Sequence, residues 1–180
     1  MTFKLGQQVI YPNHGVATIE KIEQKQIGLI ALAIYELRLS FNNSTVLVPI
    51  ANADEVGIRL PISVGQCEQL YNLLSDNFSE IPVDWKTRFR DYSERLKKGE
   101  IFEVADVLKK LTYLSRLKPL SFREQRLLEK ARYLVISELA AVCCQPDCQV
   151  EERIAQALNL ACDKHQGRIQ TKAARSAAIH

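Results

Sequence analysis

Five cysteines and three histidines are the residues of this chain best suited to bond-making chemistry. Cys143, Cys144 and Cys148 precede Cys162 and His165, which gives a C-x3-C spacing followed by C-x2-H. Thiolate and imidazole ligands at this spacing are tolerable for a tetrahedral zinc, although it matches no standard finger closely. The competing reading is packing, because Cys143 and Cys144 end a strongly helical segment and small thiols fill helix interfaces. A cysteine nucleophile needs a base and an orienting carboxylate converging on it, and none can be named. His14 lies in the turn PNHG, Pro12 to Gly15, with no Ser, Cys or carboxylate partner beside it. The expectation is no catalytic residue, no cofactor and no bound metal, with a zinc-dependent structural protein as the minor alternative.

A different kind of chemistry begins at Trp85, the single tryptophan. The stretch from Trp85 to Arg132 holds fourteen bases and seven acids, while residues 61–84 hold four acids and no base. The net charge of +3 therefore hides a basic middle segment. Clustered positive charge can attract a polyanion even on a nearly neutral protein, although it can equally be a set of solvated helix faces. Trp85, Phe89, Tyr92 and Leu96 share helical spacing, which by itself reads as a core stripe.

The elements that must hold these residues are of two kinds. Up to about residue 60 the pattern alternates. Val9 and Tyr11 precede the PNHG turn, Val16 opens a strand, Ala33 to Ser40 alternates again, and Thr45 to Ile50 makes a short strand after Asn42-Asn43. Short strands with tight turns predict a small, strongly bent sheet or barrel, with Phe3, Val9, Tyr11, Ile19, Leu37 and Val48 mostly in its core. After Pro61 the period becomes helical. Ser63 with Gln66, and Ser121 with Glu124, fit capping boxes. Asp84 fits an N-cap and Gly99 a C-terminal stop. The fold class is thus α+β, a β module over residues 1–60 and a bundle of about five helices over 61–165. A basic tail over 166–180 has little to bury and is expected to be mobile or helical only by propensity.

Several of these pieces together resemble the CarD/CdnL family of bacterial transcription regulators. They are FKLGQQVIYPNHGVATIEKIE near the N-terminus, VPIANADEVGIR from Val48, DWKTRFRDYSERLKKG from Asp84, EVADVLKKL from Glu103, the S-x-x-E-x-R-x-L stretch from Ser121 and ARYLVISELA from Ala131. The resemblance covers roughly residues 2–160. It implies a Tudor-like barrel that binds the RNA polymerase β subunit, and a helical domain that faces promoter DNA at the upstream edge of the transcription bubble. It implies stabilisation of open complexes formed with the housekeeping sigma factor, without enzymatic activity or cofactor.

Carried over by position, Trp85 is a wedge at the minor groove beside the melted region, exposed or half-exposed, where a ring replaces lost base stacking. Arg90 is a backbone contact, with Arg88 and Lys86 close to it. The second basic DNA position of the family falls on Gln125, flanked by Arg123 and Arg126. The polymerase contacts fall on Lys25, which keeps charge without the fork of arginine, and on Leu47 in the strand Val46, Leu47, Val48, Pro49. Leu47 departs from the family pattern, and QKQIGLIALAIYEL is more apolar than a family loop should be. The alternative reading is therefore an interaction adaptor of the same fold with weakened or altered polymerase binding. No apolar run reaches the ~20 residues that cross a bilayer and no signal-peptide pattern opens the chain, so a cytoplasmic monomer is expected. Promoter DNA binding should be weak and largely independent of sequence.

Overall fold

The computed structural model describes residues 2–27 and 30–177. Gly28 and Leu29, in the unusually apolar stretch, and positions 178–180 of the expected tail lie outside the described residues.

Four strands, β1 (Gln8–Tyr11), β2 (Gly15–Ile27), β3 (Ile30–Leu39) and β4 (Thr45–Pro49), pair antiparallel in chain order. The β1–β2 turn needs left-handed backbone at Asn13 (φ 65°) and Gly15 (φ 84°), which asparagine and glycine tolerate best. Between Ile19 and Lys21 the β2–β3 register slips by one residue. Such a bulge bends the strand and raises its twist, so the sheet curls over Phe3, Val9, Ile19, Tyr35, Leu37 and Val48. The backbone N–H of Phe3 donates to the Tyr35 hydroxyl at 3.0 Å and closes one end of this core. Tyr11, expected in it, is only half-buried.

The module is a half-barrel rather than a closed barrel. β1 does not meet β4. The free side of β1 is taken by an isolated bridge between Ile10 and Arg59. No strand of the described residues pairs with the far side of β4. The apolar stretch read as a loop forms the arms of the β2–β3 hairpin instead, with Ile30 exposed near its tip.

A short 3-10 turn and α1 (Ala53–Val56) lead into five longer helices: α2 (Val64–Ser75), α3 (Trp85–Lys98), α4 (Ile101–Leu117), α5 (Phe122–Cys143) and α6 (Asp147–Ala177). The expected caps form. Ser63 and Gln66, and Ser121 and Glu124, make reciprocal capping boxes. Asp84 accepts from the N–H groups of Lys86 and Thr87, and Gly99 ends α3 at φ 72°. Leu70, Tyr92, Leu96, Leu108, Leu111, Val135, Leu139 and Ile154 join the five helices in one core. Of the two forms expected for the basic tail the structure takes the helical one, since α6 continues through it to Ala177. Nothing between Asp163 and Ala177 stops a helix except Gly167, which costs only about 1 kcal/mol relative to alanine. No helix among the described residues is long and apolar enough to cross a membrane.

The two modules are joined by a buried polar clamp. Arg59, just past the half-barrel, donates twice to Glu138 of α5, at 2.6 and 2.8 Å, and once to the Gly99 carbonyl at 2.8 Å. Glu138 is 2% exposed and also accepts from the Ile62 N–H at 3.1 Å. Beside this clamp, Gly15 lies so close to α5 that a Cβ there would come within 3.1 Å of the Tyr133 ring.

Candidate functional site

Trp85 is the first residue of α3, where the Asp84 cap fixes the helix start and leaves the indole at the end of the apolar stripe. It is 47% exposed. Down the same stripe Phe89 is half-buried, and Tyr92 and Leu96 are buried. The stripe therefore anchors the helix with its far end and presents Trp85 with its near end. Lys86 places its ammonium 6.0 Å from the indole centroid. Lys86, Arg90, Arg123 and Arg126 are all exposed, and Arg90 forms no ion pair among the described residues.

Arg88 is a correction to the expected set. Its side chain is 2% exposed, beneath the surface that Lys86 and Arg90 share. Its guanidinium pairs with Glu124, and it donates to the carbonyls of Pro82 at 2.6 Å and Val83 at 3.3 Å. It cannot reach a phosphate outside the protein. It ties the loop before Trp85 to the start of α5. Burial pulls the Glu124 carboxyl upward, but hydrogen bonds from Arg88 and Ser121 hold it below the usual glutamate range. The amphipathic pattern could not distinguish Arg88 from its exposed neighbours. Arg95, seven residues on, is partly exposed in an ion-pair network with Asp91, Glu103 and Asp106.

A residue absent from the expected set stands across from Trp85. Phe122, the first residue of α5, is 71% exposed and lines the same cleft of about 640 Å³ as Trp85 and Arg123. Arg126 lies 5.3 Å from its ring centroid. On a helical wheel Phe122 falls about 180° from the apolar stripe of Leu128, Ala131 and Val135, so an aromatic residue on the polar side was the signal in the sequence.

On the half-barrel, β4 alternates. Val46 and Val48 point toward the core, Val48 being buried, so these two can offer a partner only backbone. Leu47 faces out at 47% exposure, with Pro49 half-buried at the strand end. Leu47 lies opposite Glu36, whose carboxylate holds Lys21 at 3.3 Å. Lys25 pairs with its near neighbour Glu23 at 3.3 Å. The β4 edge is thus open with an apolar centre, and the two lysines lie on β2, with β3 between.

Cys143, Cys144, Cys148, Cys162 and His165 form no metal-binding group; Cys143 meets Cys67 instead. Among the described residues no group of three or more His, Cys, Asp or Glu could hold a metal. Cys144 and Cys148 are exposed and Cys162 is buried. Burial raises the Cys162 thiol. His165 stacks on Phe78 at 4.0 Å, and its Nδ1 lies 2.8 Å from the Asn77 side-chain oxygen. Cys162 and His165 thus have packing roles.

Residues 3–61 match the family profile of the CarD-like/TRCF RID domain, and residues 69–155 match that of the CarD C-terminal domain. A protein of Bacillus subtilis (strain 168) named YdeB, itself assigned as a candidate transcription factor, is 29% identical over 140 residues, which span 78% of this chain and 92% of that protein. The half-barrel with its open β4 edge and the helices carrying Trp85 are the two parts so matched, and the chain belongs to the CarD/CdnL family of bacterial transcription regulators, whose shared property is an interaction with RNA polymerase.

Proposed function

We propose that the half-barrel binds the β subunit of RNA polymerase and that the helical module then steadies the open promoter complex at the upstream edge of the bubble. The observation that carries this reading is Trp85, half-exposed at a rigid helix start with exposed Lys86 and Arg90 around it. An indole so placed can fill a base step that has lost its stacking partner, while the cations hold backbone phosphates without reading sequence. The open edge of β4 supports the other half of the reading. An unpaired strand edge hydrogen-bonds an extended segment of a partner, and the outward Leu47 adds an apolar contact at its centre. Docking on polymerase raises the local concentration of the helical module, so its DNA contact works although weak alone. The chain acts in the cytoplasm, as a monomer on holoenzyme carrying the housekeeping sigma factor.

The lifetime of heparin-challenged open complexes tests the reading. Added protein should lengthen it, and Trp85→Ala should remove most of that effect while binding to the β subunit persists. No effect of Trp85→Ala on lifetime would refute the wedge. The apolar Leu47 in place of a family cation favours a second reading, an adaptor of the same fold with altered polymerase binding. Failure of the protein to capture the β subunit would select it.

A further inference from the structure

A second set of aromatic and basic side chains lies at the junction of the two modules, with Phe41 exposed and Tyr133 and Lys130 half-buried. Phe41, beside the β3–β4 turn, is 69% exposed, and its ring meets that of Tyr133 edge-on at 5.0 Å. With His14, Arg126 and Lys130 they line a cleft of about 500 Å³. Neither His14 nor Lys130 forms an ion pair among the described residues. Burial lowers the His14 imidazole and Lys130 lowers it further, while burial lowers the Lys130 ammonium. An anion placed beside them would favour the charged form of the partly desolvated Lys130 ammonium and protonation of the neighbouring His14 imidazole. Glu129 also lines the cleft, but it is exposed and pairs with neither.

This cleft and the Trp85 cleft are both bordered by α5. Phe122, Arg126, Lys130 and Tyr133 follow on α5 at offsets of 4, 8 and 11 residues, within about 80° of one side. Phe122 borders the Trp85 cleft and Tyr133 borders the junction cleft. The stripe alternates ring, cation, cation, ring. Its rise is about 17 Å, or about five phosphates at the spacing of a stacked strand.

We propose that this side of α5 is a track for a single nucleic-acid strand, which enters beside Trp85 and Phe122 and ends with a base against Phe41 and Tyr133 and a phosphate between Lys130 and His14. The proposal rests on the DNA-contact reading above and extends it to a strand that a wedge alone would not hold. A free nucleotide would offer the same phosphate and base, but the alternation of rings and cations over about 17 Å fits a strand.

The test is fluorescence anisotropy of labelled oligothymidine, with the full chain at about 50 mM salt. An eight-nucleotide strand should bind at least about tenfold tighter than a three-nucleotide one. Phe41→Ala should weaken the longer strand about fivefold or more, and Phe41→Trp should restore it. Lys130→Ala should lower the salt slope by about 0.7. Both positions lie at the cleft rim, and unchanged unfolding curves check the fold. Equal affinity for the two lengths overturns the proposal, as does thymidine monophosphate competing as well as the long strand, or no binding at all. If Trp85→Ala weakens the strand while Phe41→Ala and Lys130→Ala do not, the track fails and the wedge stands. If the strand results hold but β-subunit capture fails, the polymerase reading fails and the track stands.

Discussion

Replacing Arg88 by alanine should unfold the region around Trp85 rather than weaken a DNA contact. In the folded protein Arg88 satisfies three groups at once: the Glu124 carboxylate and the carbonyls of Pro82 and Val83. Removing it leaves Glu124, itself buried, as an unpaired charge, and breaking one partner of a buried pair costs about 3–5 kcal/mol. For a chain of this size each 1 kcal/mol moves the midpoint by about 2–4 °C, so Tm should fall by roughly 10 °C. Arg88→Lys should recover little, because an ammonium cannot span the fork. The effect should depend on pH in a defined direction. Glu124 is held below its ordinary range, so its pairing stabilises the protein above that range and the contribution disappears as pH falls through the lowered value. The deficit of Arg88→Ala should therefore be largest near neutrality and narrow in acid. In a Glu124→Gln background the same substitution should cost about 2 kcal/mol less, a coupling that urea unfolding of the four proteins measures. If Arg88→Ala changes stability by under about 0.5 kcal/mol and lowers the salt slope of DNA binding, the burial argument is wrong.

Trp85→Ala should cost about 1–2 kcal/mol, well short of the roughly 3–5 expected for a fully buried tryptophan, while most of the gain in open-complex lifetime is lost; chemical unfolding and heparin challenge read the two effects separately. Arg59→Ala should expose the segment from Arg59 to Ser63 to limited proteolysis and cost about 3–5 kcal/mol, because Glu138 is left buried without its cation; an unchanged cleavage rate would refute the clamp. Leu47→Arg should leave the unfolding midpoint unchanged, because the side chain faces out, and weaken capture of the polymerase β subunit several-fold; stronger capture would show that the apolar contact is not the native one.

The order of elements, both capping boxes, the Asp84 cap and the Gly99 stop were legible because each depends on local residue types. Trp85 was placed correctly at the end of its stripe for the same reason. What could not be read were the partners of charged residues across long separations. Arg88 meets Glu124 36 positions later, and Arg59 meets Glu138 79 positions later. No local period encodes such pairs, so a buried arginine and an exposed one look alike in the sequence. The short strands predicted a strongly bent sheet or barrel, and the sequence could not choose between them because closure depends on whether the first and last strands meet. The tail, with little to bury, could be read only as mobile or helical by propensity, and its alanines, lysine and arginines favour the helix that forms.

The Arg59–Glu138 clamp ties the module carrying the β4 edge to the bundle carrying Trp85, and on the proposed reading the molecule acts as a gauge with two jaws. On the proposed reading, one jaw is set by the polymerase surface and the other by the point where the duplex opens. A bubble whose upstream end shifts by one base pair moves that point by about 3.4 Å, and a stiff gauge cannot follow it. Promoters would then be sorted by where they melt, with no base ever being read.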